Sequence, residues 1–242
     1  MLILGFDTTS PEGGVALYRD SESLGDVHAD GTANYSVALF EMTDRLLAKA
    51  CVRLEHVDVF AAATGPGSFT GIRVGLAAAQ GWAKAFGRPV LGVSVLEAMV
   101  DAAQPQSGAA LPLLDARRGE FYGALFRRGS AQETTGKRSA AEFALSGDGF
   151  AASAARIASL VTELMEGGNP AVEIIVRERD QAALELVSHL ASPVKLTTVP
   201  GFLAGAIAGV ALRAARDGQL QQPEELDAWY IRRSDAEMNW RG

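Results

Sequence analysis

Two carboxylates in this 242-residue chain stand at the ends of apolar runs. Asp7 ends the apolar run Leu2–Phe6, and Asp115 ends the apolar run Leu111–Leu114. A carboxylate at the end of a buried strand can orient a metal-bound nucleotide, or it can simply bond the amides of the turn that follows. Thr8, Thr9 and Ser10 supply hydroxyls after the first aspartate. Ala116, Arg117, Arg118 and Gly119 follow the second, bulky and without a hydroxyl. Asp7, Thr8 and Asp115 therefore mark a candidate vestigial nucleotide site, with strand-ending turn residues as the alternative.

The other chemically distinctive stretch is Thr64-Gly65-Pro66-Gly67-Ser68-Phe69-Thr70-Gly71-Ile72-Arg73. Its glycines and proline specify a tight backbone path, because glycine alone tolerates positive φ cheaply. Ser68 or Thr70 can cap a following helix, whose first amides could accept an anion. No lysine follows, so this is not a Walker loop, and Thr70 stands where a dinucleotide fingerprint needs its third glycine. A ligand-free strand-to-helix turn explains the segment equally well. Ser68 lacks the Gly-x-Ser-x-Gly elbow of a nucleophile. His28, His56 and His189 are far apart in sequence, whereas a helical metal pair needs histidines four residues apart, so no metal site is expected. The lone Cys51 allows no disulfide within the chain, which suits a reducing cytoplasm.

The elements that must position these residues alternate between strand and helix patterns. Leu2–Phe6, Val15–Tyr18 and Ser23–His28 read as a three-stranded meander. A helix from about Ser36 to Ala50 follows, capped by Asn34 or Ser36, with Leu39, Met42 and Leu46 at helical spacing and Phe40 and Leu47 widening its apolar surface. Val57–Ala63 reads as a strand, and an alanine-rich helix runs from about Phe69 to Phe86. Val90–Val93 is a further strand, and Ser94 caps a helix to about Ala103. In the long helix Ile72, Leu76, Ala79, Ala83 and Phe86 form a stripe suited to a sheet. Gly71, Gly75, Ala78 and Trp82 form a second, smoother stripe. An interior glycine costs about 1 kcal/mol relative to alanine, so close approach of another element is implied, either within the lobe or from another subunit.

After a linker at Gln104–Ala109 the opening pattern returns. A gapless shift of 108 residues lays Asp7 on Asp115, Glu12 on Glu120, Ala16 on Ala124, Leu17 on Leu125 and Arg19 on Arg127. An internal duplication follows. Further on, Ala151–Met165 and Gln181–Leu190 read as helices around a strand at Val172–Val176. Phe202–Arg216 reads as a last helix, with Trp229, Tyr230, Ile231 and Trp240 as anchors in the tail. The fold class is α/β: a duplicated two-lobed actin-like architecture of the sugar kinase/heat-shock ATPase, ribonuclease H-like type.

Bulk properties narrow the function classes. The net charge of -7 opposes unaided binding of RNA, although Arg117, Arg118, Arg127 and Arg128 lie close in sequence and could form a local basic patch. No stretch approaches the roughly 18 apolar residues of a membrane helix, and the first residues lack a basic leader, so a cytoplasmic protein is expected.

Residues 65–73 resemble the signature of the TsaB (YeaZ) family, a glycoprotease-like family. Leu2–Ser10, Leu114–Tyr122 and Trp229-Tyr230-Ile231-Arg232 are similar to its opening, its second-lobe opening and its C-terminal tail. The resemblance implies a partner-docking N-terminal lobe at 1–104, a C-terminal lobe at 105–200, and a helix and tail at 201–242 packing back on the first lobe. It implies a subunit with no catalytic or metal site and no cofactor of its own. That subunit binds and activates a TsaD-type catalytic subunit for threonylcarbamoyl transfer to N6 of the adenosine beside the anticodon in tRNA. ATP is used by the partners, a TsaE-type ATPase among them. The chain alone pairs with itself through the same helices, meets tRNA only through the complex and involves no membrane. The implied docking residues are Leu39, Phe40, Thr43, Leu47, Thr70, Arg73, Val74 and Ala77, beside the signature loop Gly65–Gly71. Tyr35 stands where many members have histidine, so a role specific to that histidine does not carry over. Two readings compete: an ATP-dependent phosphotransferase of the actin-like fold, and a metallopeptidase. The first lacks the usual Gly-Gly turn at Ile174–Asp180, and the second lacks paired histidines.

Overall fold

The computed structural model describes residues 1–29, 31, 34–129, 143–166, 172–190 and 194–231; Arg232 and Trp240 lie outside them. The first strand, β1 (Leu2–Asp7), is apolar throughout because both of its faces are covered. Leu2, Leu4 and Phe6 enter one core and Ile3 enters another. β2 (Gly14–Arg19) and β3 (Glu22–His28) complete an antiparallel meander, with Leu4 opposite Leu17 and Val15 opposite Val27. α1 (Tyr35–Lys49) leads to β4 (Val59–Gly65), parallel to β1. α2 (Phe69–Phe86) leads to β5 (Val90–Ser94), parallel to β4. The strand order is β3-β2-β1-β4-β5, and α3 (Val95–Ala103) closes this half. Caps fix the helix starts: Asn34 accepts from the Ser36 amide, Ser68 from Gly71 and Ser94 from Leu96.

The second half repeats the plan. β6 (Ala109–Asp115) takes the place of β1. The returning strand is split into β7 (Glu120–Gly123) and β8 (Phe126–Arg128), which pair with opposite ends of β6. β9 (Phe143–Leu145) pairs with β8, and β10 (Phe150–Ser153) pairs with β7. α4 (Ala154–Glu166), β11 (Val172–Arg177), α5 (Gln181–Ser188), β12 (Lys195–Val199) and α6 (Ala204–Arg216) follow, with β11 parallel to β6 and β12 parallel to β11. Ile3 sits opposite Val59 in the first sheet, and Leu111, its counterpart under the 108-residue shift, sits opposite Ile174 in the second. The helix expected from Ala151 begins three residues later, because Ala151 and Ala152 pair with Tyr122 and Phe121 on β7.

The layers are α1 and α2 on the first sheet, α3 and α6 between the sheets, and α4 and α5 outside the second. α6 crosses back to lie on β1 and β2, while α3 reaches β6, β11 and β12. Gly5 makes the α6 contact possible: a Cβ there would lie 2.6 Å from the Ala204 carbonyl oxygen and 2.9 Å from Ala208 Cβ.

The connection between the halves is fastened by one buried carboxylate. Glu173 on β11 accepts from Lys195 Nζ at 3.0 Å, Thr197 Oγ1 at 2.5 Å and the Gln106 amide at 3.1 Å. Burial pushes its pKa up, but these donors outweigh burial and hold it below the usual carboxylate value. A depressed carboxylate contributes stability above its unfolded pKa and loses it as pH falls through the folded value. Glu173→Gln is therefore expected to lower the urea midpoint at pH 7. Its deficit against the parent chain should shrink as pH falls below the ordinary glutamate value of 4.5. Parallel urea titrations across that range check this.

Candidate functional site

The β1–β2 turn is held by several polar contacts. Asp7 has no exposed surface. Its Oδ1 accepts from the Thr9 amide at 2.8 Å and from Thr9 Oγ1 at 2.5 Å. Its Oδ2 faces Arg177 Nη2 at 3.3 Å, across the cleft from the end of β11, and that side chain is itself only 11% exposed. A second pair, Arg179 to Glu12 at 2.7 Å, spans the same cleft further out. Asp115, by contrast, is exposed; it accepts from the Arg117 amide at 2.7 Å, the turn-bonding role. Its own amide donates to Asp180, which also caps α5. The segment Arg177-Glu178-Arg179-Asp180 thus brings two guanidinium groups to the cleft, a role that the sequence reading did not assign to Arg177.

The same turn is the bed on which α2 begins. Ser68 donates its amide to the Thr9 carbonyl at 2.8 Å, so that amide is spent inside the chain rather than kept for an anion. Thr8 Oγ1 donates to the Gly71 carbonyl at 2.6 Å. A Cβ on Gly71 would lie 1.8 Å from the Thr8 carbonyl oxygen, one on Gly75 2.5 Å from Thr8 Oγ1, and one on Gly67 2.6 Å from Thr9. These glycines therefore answer to a close approach within the lobe. Of the expected smooth stripe, Gly71, Gly75 and Ala78 are buried within the lobe and Trp82 is half-buried. α1 is tied to the turn as well, since the Tyr35 hydroxyl donates to the Ser10 carbonyl at 2.8 Å.

The outward surface of the two helices differs from the expected one. Leu39, Thr43 and Leu47 are 0%, 1% and 5% exposed. They point into their own lobe, so they are corrected from docking residues to core. Phe40, 46% exposed, remains outside with Val37 at 56%. On α2 Thr70, Arg73, Ala77 and Gly81 are exposed and Val74 is half-buried. Phe40 stands edge-on to Trp82 with centroids 5.5 Å apart, which joins the two helices into one face. The C-terminal segment is tied to β4 and α2. Trp229 donates its amide to the Thr64 carbonyl, Gln80 donates to the Pro223 and Leu226 carbonyls, and Arg73 Nε donates to the Tyr230 hydroxyl.

Other expected features are dispersed. Arg117 and Arg118 occupy the β6–β7 turn, whereas Arg127 pairs with Ala109 at the far end of β6, about 20 Å away at strand rise. The four arginines do not form one patch. His28 stacks on Phe202, His56 lies in a short 3-10 turn and His189 ends α5. Among the described residues no three His, Cys, Asp or Glu side chains are grouped to hold a metal ion, and no helix is long and apolar enough to cross a membrane. A pocket of about 460 Å³ lies behind the C-terminal segment, lined by Ser94, Phe126, Phe143, Leu145 and Trp229 among others.

Comparison with known proteins agrees with this architecture. A family model described as "TsaD: tRNA N6-adenosine threonylcarbamoyltransferase" matches residues 29–146. The TsaB protein of Escherichia coli K12, named for tRNA threonylcarbamoyladenosine biosynthesis, is 35% identical over 133 residues, 53% of this chain and 56% of that protein. The TsaB protein of Bacillus subtilis 168 is 31% identical over 127 residues, 52% of this chain and 56% of that protein. The chain therefore spans about half the length of the curated relatives it matches. The solved structure of YeaZ from Pseudomonas aeruginosa superposes with a TM-score of 0.74 at 24% identity, covering 95% of this chain and 99% of that one; this likeness is one of fold.

Two glycines of α2 make a contrasting pair. Gly71→Ala should lose about 1–3 kcal/mol, because the added methyl meets backbone that cannot retreat. Gly81 meets nothing within 4 Å, so Gly81→Ala should gain up to about 1 kcal/mol from helix propensity. Urea unfolding of the two variants reads both signs.

Proposed function

We propose, for a chain that belongs to the TsaB (YeaZ) family, that it serves tRNA threonylcarbamoyladenosine biosynthesis as a docking subunit rather than as a catalyst. The observation that carries this reading is the face of α1 and α2. Val37 and Phe40 protrude from α1 beside the exposed small residues Ala77 and Gly81 of α2. Small residues let a partner helix approach closely, while a protruding aromatic supplies an anchor. The occupant is a TsaD-type catalytic subunit in the working complex and a second copy of this chain in its absence. Through that contact the chain activates the catalytic subunit for threonylcarbamoyl transfer to the adenosine beside the anticodon. The TsaE-type ATPase joins the same assembly, and tRNA is met through the complex.

The non-catalytic half of the reading draws on the cleft. In the phosphotransferase alternative Asp7 would orient a metal-bound nucleotide. Here its carboxylate is engaged by Thr9 and Arg177, and a guanidinium holds the side where a cation would bind. The residues present do not fit a metal-bound nucleotide, and no step is assigned to one. The metallopeptidase alternative has no grouped ligands among the described residues.

The decisive experiment is tRNA threonylcarbamoylation in a purified system of a TsaD-type subunit, a TsaE-type ATPase and the carbamoyl-adenylate synthase, with and without this chain. Modification should require the chain, and the chain alone should make no product; modification indifferent to it would overturn the reading. Phe40→Glu combined with Ala77→Glu should weaken self-association and capture of the catalytic subunit at least about 30-fold, the scale of one central anchor. Both sites are exposed, so the variant should stay folded and lose no more than the Phe40–Trp82 edge contact, about 0.5–1.5 kcal/mol. Sedimentation and calorimetry measure the two effects.

A further inference from the structure

We propose that Arg177 is a positioning residue for the docking face: through Asp7 it fixes the β1–β2 turn on which both docking helices are seated. The last step of this proposal rests on reading α1 and α2 as the docking face.

The chain of contacts is continuous. Arg177 leaves the end of β11 in the second lobe and reaches the Asp7 carboxylate in the first. Asp7 holds Thr9 by its amide and its hydroxyl. The Thr9 carbonyl holds the Ser68 amide, at the cap of α2. Thr8 holds the Gly71 carbonyl one turn further along, and the glycines at 67, 71 and 75 let this turn touch the helix without an intervening side chain. Ser10 accepts the Tyr35 hydroxyl and so ties in the first residue of α1. None of these residues is among those named on the docking face.

Charge explains why the first link governs the others. An ionised carboxylate without exposed surface needs a partner or it becomes unfavourable where it stands. Thr9 alone supplies neutral donors, while Arg177 supplies the compensating charge. With Arg177 removed, the buried carboxylate loses its counter-charge and must rotate toward water. That rotation moves the acceptor that orders Thr9, and through Thr9 the start of α2. The second lobe thereby sets the geometry of a surface to which it contributes no residue. In a related fold that bound a metal nucleotide here, the cation would arrive with the ligand. In this chain the cation is a side chain, Arg177, carried by the second lobe.

The test uses the whole chain and backbone amide hydrogen exchange. Arg177→Gln should raise exchange at residues 67–75 by at least about tenfold. Arg177→Lys should restore most of the protection. Arg156→Gln, which breaks the exposed pair with Glu163 on α4, should leave residues 67–75 unchanged. The same Arg177→Gln chain should also self-associate more weakly than the parent. Should it not fold, Asp7→Ala, which removes the acceptor of Thr9 together with the charge that Arg177 meets, takes its place with the same expectations. Unchanged exchange at 67–75 in a folded variant overturns the proposal. Raised exchange with undiminished self-association overturns the coupling to the docking face. If the parent chain does not self-associate at all, the second copy is struck as an occupant of the docking face, capture of the catalytic subunit by the Arg177→Gln chain replaces self-association as the readout, and the exchange measurement still decides the role of Arg177.

Discussion

A charged carboxylate sealed from water at the end of the first strand is the constraint around which this fold is arranged. Leaving such a charge unpaired by deleting its partner costs about 3–5 kcal/mol in buried pairs. The chain meets that requirement with one group from each lobe: Thr9, two residues away, and Arg177, 170 residues away. The consequences spread outward. Two threonines must turn inward, three glycines must clear the approach of α2, and the second lobe must bring the end of β11 to the cleft. Glu12 and Arg179 add a second, exposed pair, which at a surface is worth at most about 1 kcal/mol and so serves register more than stability.

Much of this was legible in the sequence, and for identifiable reasons. β1 and β6 announce themselves because strands covered on both faces are apolar throughout. The caps at Asn34, Ser68 and Ser94 follow from residue type at a helix start. The duplication was visible because Asp7 and Asp115 end equivalent strands. What failed did so on questions of direction. Leu39, Thr43 and Leu47 share helical spacing with Phe40, and only the position of the sheet decides that they face inward. The glycines of α2 correctly signalled a close approach, but a sequence cannot say whether the approaching group is a neighbouring helix or a turn of the same lobe. The arginine run misled because a strand carries residues adjacent in sequence to opposite ends of a sheet.

Arg177 was missed for a different cause. Its only signal was the absence of a Gly-Gly turn between β11 and α5, which was read as a lost pocket. The same four residues carry the contacts to Asp7 and Glu12 across the cleft. An arginine after a strand is unremarkable in a sequence, and its meaning depends on an aspartate in the other half of the chain. Pairings across such distances carry no local pattern.

The path of α6 has a bearing on how the molecule comes to be folded. This helix, near the end of the chain, covers β1, near its start, with the Ala204 carbonyl 2.6 Å from where a side chain on Gly5 would begin. During synthesis the first lobe is made long before its inner face can be covered. Ile3, Ala61 and Leu91 belong to a core that also needs Ile207 and Ala211. A growing chain that has emerged through α3 therefore carries an open apolar sheet face. It can reach its finished state only after about a hundred further residues have left the ribosome. Such long-range closure slows folding and lengthens the exposure of apolar surface to other chains. The two similar halves thus share one core, and neither face of that core is complete until the chain has been made as far as α6.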